Sequence, residues 1–495
     1  DLDGYTVKGQ VYADSRPLAG AVISDGRNVT KTDKNGMYWL PSSYQEGDRI
    51  VWISIPSGYM VNTKNGWEPR FWHALDTEKL QAGVAQRHDF TLSSVNQDKF
   101  RLVAFSDTHI RGLQAAEGIT EMDSLIFRSK FIPKLQAQSS SGPVYGVCLG
   151  DMIQEYAIDV NGTGLPEYKK CLRDVNFPIF HIPGNHDYYG KQTKNYSSDT
   201  EGLEPKQYYR THLGPTYYSM SIGNNHFLML DGTIMLGSNG VSGGYNKYLS
   251  KISSRQMEWI VSDLAAVKDK ASTALIICCH QPFYMYQTGQ QKGVGSMEKA
   301  NRDAVMDLLT GFSKVTILSG HQHYTDSYSF TRGETKVTQY VHNAITGPFY
   351  RSKYCVDGSP CGLTDYDFTG TEFRRTTLAY YDDCDFQVKF YTEGVTTLEG
   401  GKSCLLINVP AYEEGWSVHV TEYSVKVKDA DRVFRTDPDY TAEYAANNNF
   451  ASANTSTVNP VKNSHMFEYV PSNPNARIVL TVTGADGSIY RKQIN

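Results

Sequence analysis

FRLVAFSDTH, residues 100–109, joins an apolar run of strand length to two side chains that can bind metal. The run 100–105 is typical of a strand covered on both faces, and Asp107 and His109 follow it directly. Further apolar runs of strand length lie at 144–149, 178–182, 227–230, 274–279 and 315–318. Amphipathic stretches that can cover a sheet as helices lie between them, at 121–135, 254–267 and 298–309. This alternation predicts an α/β domain with a layered sheet core over residues 96–345.

The segments on either side of this region are rich in strands. From Tyr5 to Leu40, short alternating strands are separated by turn signals, and Asn35-Gly36 indicates a hairpin turn. After residue 346 the helical period fades, and strand patterns dominate at 387–391, 416–420 and 477–482. The sequence therefore predicts three domains: an N-terminal β-sandwich over 1–95, the α/β domain over 96–345, and a C-terminal β-rich accessory domain over 346–495. In the last, 429–461 is expected to be a surface excursion or a short helical insertion.

Composition excludes several classes of protein. Hydrophobic residues make up 40% of the chain and charged residues 20%, as in a folded globular protein rather than a disordered or fibrous one. The net charge of −5 leaves no basic surplus, so no nucleic-acid partner is expected. No window reaches the roughly 20 apolar residues of a transmembrane span. The 34 tyrosines and the Asn/Gly/Ser-rich loops favour an exported protein, periplasmic or lipid-anchored at the cell envelope after removal of a signal.

The eight cysteines are too few and too dispersed to build a disulfide scaffold. Cys355 and Cys361 flank a segment of turn-forming residues. The sequence therefore allows either a loop-closing disulfide or two free thiols there. Cys148, Cys278 and Cys279 lie in apolar runs and are predicted to be buried free thiols.

Residues that can bind metal follow five of the six apolar runs. After Asp107 and His109 come, in order, Gly150-Asp151, Gly184-Asn185-His186-Asp187, His280 and Gly320-His321-Gln322-His323. Because the carboxyl ends of strands in an open α/β sheet meet at one crevice, we expect these side chains to lie close together. Two neighbouring divalent ions need a bridging anion, oxygen ligands and neutral imidazoles, and the motifs supply all three. Asp151 is the natural bridge.

In this order, Asp-x-His, Gly-Asp, Gly-Asn-His-Asp, a single His and Gly-His-x-His resemble the motifs of the calcineurin-like metallophosphoesterase superfamily. The flanking segments resemble the accessory domains of one bacterial branch, the first of them transthyretin-like or carboxypeptidase-regulatory-like. The resemblance implies a central two-sheet α/β sandwich flanked by N-terminal and C-terminal β-sandwich domains. It also implies hydrolysis of a phosphate ester by a hydroxide that bridges two divalent metal ions, with Mn, Fe and Zn all open.

The resemblance further implies a role for each motif residue. The implied ligands form two sets that share Asp151: Asp107, His109 and His323 for the first ion, and Asn185, His280 and His321 for the second. Asn185 and His186 would contact the substrate. His186 would not bind metal but would protonate the leaving group or stabilise the developing charge.

Two residues that follow the Gly150-Asp151 motif differ from those of the protein Ser/Thr phosphatases in this superfamily. Gln154 and Glu155 stand where the resemblance implies Asp and Arg, so the carboxylate that would orient His186 is absent at position 154. The arginine that would grip phosphate is absent beside it. A Glu155 that faced the site would also repel a phosphopeptide. The expected substrate is therefore a small-molecule or lipid-linked phosphoester.

Two alternatives stay open. The same site can act on a phosphodiester, because a diester differs by one substituent that the Tyr188-Tyr189 loop can accept or exclude. In a different class, a relic phosphoesterase domain would accompany β-sandwiches that bind glycan or cell envelope, but the presence of all seven implied ligands argues against it. Aromatic residues near the site can line a substrate pocket or simply pack: Tyr188, Tyr189, Phe283, Phe349 and Tyr350.

Overall fold

The computed structural model describes residues 2–113, 122–138, 142–190, 203–238, 246–286, 295–391, 404–446, 450, 456–472 and 475–494. Along these parts of the chain, a strand-rich N-terminal unit is followed by a mixed α/β unit and by a second strand-rich unit. Within them, no helix has the length and apolar character that crossing a membrane demands. The fold class predicted from the sequence is confirmed.

The N-terminal unit contains two main sheets of short strands. Its elements are β1 (Val7–Ala13), β2 (Arg16–Pro17), β3 (Val22–Ser24), β4 (Val29–Lys31), β5 (Met37–Leu40), β6 (Ile50–Ser54), β7 (Tyr59–Val61), β8 (Thr63–Lys64), β9 (Glu68–Pro69), β10 (Trp72–Ala74), α1 (Thr77–Gln81), β11 (Gln86–Arg87) and β12 (Phe90–Ser94). One sheet has the order β11-β1-β12-β7, with β2 and β5 also paired to β1, and the other has the order β10-β6-β3-β4. Alternate residues of β1 are buried, because only one face of this sheet packs on the core.

The central unit contains two larger sheets with helices between their strands. Its elements are β13 (Lys99–Phe105), α2 (Asp123–Ile126), a π-helical turn (Phe127–Phe131), α3 (Ile132–Gln136), β14 (Val144–Cys148), α4 (Tyr156–Asn161), α5 (Leu165–Cys171), β15 (Ile179–His181), α6 (Leu203–Leu213), β16 (Tyr218–Ile222), β17 (Asn225–Leu230), β18 (Thr233–Ser238), β19 (Asn246–Ser250), α7 (Ser254–Ala266), β20 (Ala274–Cys279), α8 (Lys299–Leu308), β21 (Lys314–Ser319), β22 (Asp326–Arg332), β23 (Thr335–Val341), β24 (Gly362–Thr369) and β25 (Glu372–Ala379). The first sheet has the order β15-β14-β13-β24-β25, and the second has the order β16-β17-β20-β21-β23-β22.

All six apolar runs of the sequence form strands of these two sheets. β13, β14 and β15 run parallel in the first sheet, and β17, β20 and β21 run parallel in the second. Every residue of β20 is buried, as expected of a strand with both faces covered. The sheets meet at their carboxyl ends, where His280 Nδ1 after β20 lies 2.7 Å from the Leu149 carbonyl oxygen after β14. The residues that follow the strands are therefore brought to one place.

Two strands of the first sheet come from beyond residue 345, where the sequence places the end of the α/β domain. β24 pairs antiparallel with β13, from Lys99 opposite Thr369 to Ala104 opposite Thr364, and β25 pairs with β24. Antiparallel neighbours need no crossover helix, so this stretch carries no helical period. For this reason we propose that the C-terminal unit begins after β25 rather than at residue 346.

The C-terminal unit is a pair of four-stranded sheets. Its elements are a 3₁₀ turn (Asp382–Cys384), β26 (Lys389–Tyr391), β27 (Leu405–Asn408), β28 (Ser417–Glu422), β29 (Val425–Asp429), β30 (Asp431–Arg435), α9 (Pro438–Ala446), a second 3₁₀ turn (Ser456–Val458), β31 (Asn463–Tyr469), β32 (Ile478–Thr483) and β33 (Ile489–Ile494). The orders are β26-β27-β31-β30 and β29-β28-β32-β33. The segment 429–461 contains β30 and the helix α9, and part of it lies outside the described residues.

All eight cysteines are buried thiols without a disulfide. The sulfur atoms of Cys355 and Cys361 lie 4.0 Å apart. Cys148, Cys278 and Cys279 are free and fully buried, as the sequence predicts.

A buried ion pair joins the N-terminal unit to the central unit. The carboxylate of Asp48 is fully buried and binds Arg27 of its own unit and Arg255 of α7. Around it, apolar side chains of both units form one continuous core, which includes Trp52 and Trp259. The two units are thus packed as one body at this face.

We expect Arg255→Met to lower the temperature of the first thermal unfolding transition. The substitution leaves one oxygen of a fully buried carboxylate without its cation, which we expect to cost about 2 to 3 kcal/mol because Arg27 still neutralises part of the charge. Calorimetry would measure the shift against Arg173→Met, a control in which the arginine is 62% exposed. Equal melting of the two variants would contradict a stabilising role for the pair.

Candidate metal centre

Tight turns after the strands hold the candidate ligands in an unusual backbone conformation. Five of the motif residues have φ between 46° and 73°, namely Asp107, His109, Asp151, His321 and His323. Residues other than glycine rarely adopt this left-handed region, and such strain is concentrated at functional sites that the surrounding fold holds in place. Gly150, with φ of 94°, has no room for a side chain, because a Cβ there would lie 2.7 Å from the amide nitrogen of Gly184 and 2.8 Å from His280 Nδ1.

The candidate ligands of the first ion converge on the Asp107 carboxylate. Its Oδ1 lies 3.4 Å from His323 Nε2 and 3.6 Å from His109 Nε2, and the two imidazole nitrogens lie 3.0 Å from each other. All three side chains are buried. The structure therefore brings together the three residues that the sequence assigns to the first ion.

Asp151 lies between this group and the candidate ligands of the second ion. Its Oδ2 is 3.7 Å from His109 Nε2 on one side and 3.0 Å from His280 Nε2 on the other. His321 Nδ1 in turn lies 3.3 Å from His280 Nε2. The ligand atoms of Asp151, His280 and His321 all lie within 4.8 Å of one another. This is the position that a bridging carboxylate would occupy.

Asn185 and His186 follow β15 at the edge of the same pocket. Asn185 is 3% exposed, and the His186 amide donates a hydrogen bond to Asp151 Oδ1 at 2.9 Å. A ligand atom of His186 also lies within 4.8 Å of one in His109 and one in Asp151. Position alone therefore does not exclude His186 as a metal ligand.

The residues present fit divalent cations. Asp107 Oδ1 and Asn185 Oδ1 are buried oxygen atoms that accept no hydrogen bond from the residues that the structure describes, which is costly unless a cation or a water satisfies them. The outer ring nitrogens are fixed by main-chain carbonyls: His280 Nδ1 by Leu149 and His323 Nδ1 by Gly347, at 2.7 and 3.0 Å. Donation from Nδ1 leaves the lone pair of Nε2 for a metal. The mixed nitrogen and oxygen donors suit Mn, Fe and Zn.

The electrostatics of the pocket also favour cations. Burial opposes ionisation of Asp151, but His280 and His186 outweigh it and hold its pKa well below the ordinary value. Burial lowers the pKa of His321 to about 3 and that of His109 to about 4, so both imidazoles are neutral. His280 differs, because the Asp151 carboxylate outweighs burial and raises its pKa to about 9. A cation that binds here would compete with that proton.

Asp187, which the sequence analysis quotes without giving it a role, holds the turns together. Its buried carboxylate accepts hydrogen bonds from the amides of Asp151 and Gly184 at 2.8 and 2.7 Å, and from Met152 at 2.8 Å. Burial and the Asp151 charge raise the pKa of Asp187 to about 7. Its function in the structure is to fix the turn after β14 against the turn after β15.

His186 has a carboxylate partner from the residue next to position 154. Position 154 indeed carries no acid, but Glu155 supplies one: its Oε2 lies 2.6 Å from His186 Nδ1. Burial lowers the pKa of His186, yet the Glu155 carboxylate outweighs burial and raises it to about 10. Gln154 contacts a different histidine, because its Nε2 lies 2.8 Å from His109 Nδ1. Because Glu155 is 3% exposed and engaged in this pair, it offers no free carboxylate to an incoming substrate, and the condition for repelling a phosphopeptide is not met.

Glu155→Gln is expected to lower kcat about tenfold, because the amide cannot hold the imidazole by a charged hydrogen bond. The same substitution should have little further effect in a His186→Ala background if Glu155 acts through the imidazole that it contacts. Glu258→Gln, at an exposed position of α7, is the matched control. Equal losses in the two backgrounds would show that Glu155 does not work through His186.

The hairpin β18–β19 covers one side of the pocket, which no motif in the sequence indicates. The amide of Asn246 donates to Glu155 Oε1 at 2.6 Å, and its side chain donates to the carbonyls of Asn185 and Tyr188 at 3.0 and 2.9 Å. The Tyr248 ring centre lies 6.4 Å from that of His321. Asn246 thus connects Glu155 and the loop that carries His186 to the hairpin.

Comparison with known proteins assigns the fold that carries this pocket to a family. Residues 100–325 match the family model described as "Calcineurin-like phosphoesterase". Residues 5–95 match "N terminal of Calcineurin-like phosphoesterase", and residues 339–490 match "C terminal of Calcineurin-like phosphoesterase". The chain belongs to the calcineurin-like phosphoesterase family. No curated protein sequence gives a significant match.

Solved structures similar to this chain include three nucleotidases. They are a 5'-nucleotidase from Candida albicans (13% identity, 59% of this chain and 53% of that chain, TM-score 0.34), a 5'-nucleotidase precursor from Thermus thermophilus (13%, 58% and 55%, 0.31) and the Haemophilus influenzae NAD nucleotidase (11%, 57% and 50%, 0.29). The chain spans about half the length of each. Likeness at this level gives no argument about the substrate.

Proposed function

We propose that this chain hydrolyses a small-molecule or lipid-linked phosphate ester at a site for two divalent metal ions. The observation that carries the proposal is the position of Asp151, whose carboxylate lies between two groups of buried imidazole and carboxylate ligands. A single ion would not need a second group on the far side of this carboxylate.

In the proposed site, two ligand sets share Asp151. Asp107, His109 and His323 would hold one ion, and Asn185, His280 and His321 the other. Such ions, when bound, polarise phosphoryl oxygens and lower the pKa of water enough to supply a nucleophile at neutral pH. Part of the donor set is held by the chain itself, because Asp187 fixes the turns after β14 and β15 and main-chain carbonyls hold the rings of His280 and His323.

His186 is proposed to act on the substrate. Glu155 binds its Nδ1, so Nε2 is the nitrogen assigned to the leaving-group oxygen. Asn246 holds the Glu155 carboxylate and the main chain of Asn185, which keeps the pair aligned with the ligands. A protonated imidazole at this position can donate a proton to a departing alkoxide.

The proposed substrate class rests on the residue at position 155, next to Gln154. Position 155 carries a glutamate that is engaged by His186 and Asn246, so no arginine grips phosphate from this position. Repulsion of phosphopeptides by Glu155 no longer supports the assignment, because this carboxylate is buried. The missing arginine still separates the chain from protein phosphatases. The choice between a monoester and a diester stays open, and export to the cell envelope stays a prediction.

Metal analysis and one assay test the proposal together. The protein would be freed of metal, reconstituted with Mn²⁺, Fe²⁺ or Zn²⁺, and analysed for bound ions and for hydrolysis of p-nitrophenyl phosphate and bis(p-nitrophenyl) phosphate. We expect two ions per chain and metal-dependent release of nitrophenol. One ion or none would contradict the shared carboxylate, and two ions without hydrolysis of either ester would favour the binding-protein alternative.

A further inference from the structure

Arg111, two residues after His109, has a guanidinium that the protein satisfies only in part. The residue is 9% exposed, and its Nε donates to the Asp123 carboxylate at 3.2 Å. The same carboxylate accepts hydrogen bonds from the amides of Gly112 and Ser124. Nη2 of Arg111 is buried and has no hydrogen-bond partner among the described residues. A buried donor of a charged group is costly to leave unpaired, so Arg111 Nη2 is available to an acceptor beyond the described residues.

Phe349 places this guanidinium beside the metal centre. Its ring centre lies 5.5 Å from that of His109, 5.6 Å from that of His323 and 5.5 Å from Arg111 Cζ. The distance from Arg111 Cζ to the centre of the His109 ring is therefore no more than the sum of the two 5.5 Å distances. Phe349 has φ of 55° and the next residue, Tyr350, has φ of 60°, so the ring is held there at the expense of backbone strain.

Arg351 brings a second guanidinium to the same place. It follows Tyr350, whose hydroxyl donates to the Thr108 carbonyl at 2.7 Å, and its Nη1 lies 3.5 Å from the Phe349 carbonyl oxygen. The residue is half-buried. Burial and the charge of Arg111 lower the pKa of Arg351, so the two cations repel each other. An anion between them would relieve this repulsion.

We infer that Arg111 and Arg351 form a subsite for a second oxyanion of the substrate, a phosphoryl or carboxylate group separate from the scissile phosphate. The inference rests on the proposed function, because it assigns the substrate class of that same site. Guanidinium groups are suited to such oxyanions, since their planar donors bind two oxygens at once. The short distance through Phe349 favours compact substrates, such as sugar bisphosphates or phosphorylated sugar acids, over esters with a neutral leaving group.

The test compares substrates that differ by one charged group. The pairs are fructose 1,6-bisphosphate against fructose 6-phosphate, and 6-phosphogluconate against glucose 6-phosphate. We measure kcat/KM with the metal-loaded protein. In at least one pair, we expect the substrate with the additional charged group to have a kcat/KM about tenfold or more above that of its partner, as two charged hydrogen bonds would give. The pair that shows the preference identifies the oxyanion as phosphoryl or carboxylate.

Two variants assign the preference to the arginines. Arg351→Gln should reduce the ratio at least about fivefold, and Arg111→Lys should reduce it while keeping a cation beside Asp123. Arg173→Gln, which removes the same charge from an exposed position of the central unit, should leave the ratio unchanged. Equal kcat/KM within both pairs, or a ratio unaffected by Arg351→Gln, would overturn the subsite.

Failure of the subsite can be told apart from failure of the proposed function. If none of the sugar phosphates nor p-nitrophenyl phosphate is hydrolysed, the proposed function fails. Calorimetry then measures binding of the same pairs to the metal-loaded protein, where the subsite still predicts tighter binding of the charged member and a loss of that difference in Arg351→Gln. Binding without such a difference would contradict the subsite.

Discussion

Asp151→Asn is expected to lower kcat/KM by at least about a thousandfold, which corresponds to about 4 kcal/mol of transition-state stabilisation. The carboxylate lies between both candidate ligand sets, so the substitution would replace a charged ligand of both proposed ions by a neutral amide. Bound metal should fall below two ions per chain. The fold should survive, because asparagine has the same size and its side-chain oxygen can still accept the hydrogen bond from the His186 amide.

Metal content and hydrolysis of p-nitrophenyl phosphate are measured on the same preparation, with circular dichroism to check the fold. Asp174→Asn, at a side chain that is 66% exposed, is the matched control and should retain both ions and full activity. A variant that keeps two ions and normal kcat/KM would remove Asp151 from the bridging position.

The position of the pocket could be predicted from the sequence because each candidate ligand lies shortly after an apolar run. A run such as 274–279 forms a strand covered on both faces, and in parallel strands the chain must leave the sheet at the carboxyl end. His280 is therefore placed within one residue of the strand end by local pattern alone. The same reasoning places the residues after β13, β14, β15 and β21 at one edge.

Residues that reach the pocket from elsewhere in the chain could not be predicted in this way. The contact of Glu155 with His186 depends on the direction of the turn after β14, which the motif does not encode, and the resemblance pointed to position 154 instead. Asn246 lies on β19, which pairs with β18 in a hairpin far from any motif in the sequence. Arg351 and Phe349 follow β23, beyond the last motif of the sequence. Long-range packing, not local pattern, decides these contacts.

The boundary of the α/β unit shows the same limit. β24 and β25 belong to the first sheet, but they are antiparallel strands connected by a short turn and carry the same pattern as the sandwich strands that follow. Only the register of β24 on β13 shows to which sheet they belong. The hydrophobic period of a segment predicts whether it forms a helix or a strand. The sheet that a strand joins is set by which exposed strand edge it can cover.

His186→Ala is expected to keep both ions but to lower kcat by about a hundredfold to ten-thousandfold, the usual contribution of a general acid. The loss should be larger for an alkyl phosphate such as glycerol phosphate than for p-nitrophenyl phosphate, because an alkoxide needs protonation more than a nitrophenolate does. His419→Ala, on β28 of the C-terminal unit, is the control.

Metal content decides between the two roles that the geometry of His186 permits. A ligand atom of this residue lies close to His109 and Asp151, as a metal ligand would, while Glu155 engages its Nδ1, as expected of a proton donor. If His186→Ala loses an ion, or if kcat falls equally for both leaving groups, the general-acid role is wrong. If both ions stay and the loss follows the basicity of the leaving group, then Glu155 and His186 act as a proton-donating pair beside the metals. In that case His186 is excluded as a ligand, and the other seven candidate ligands remain.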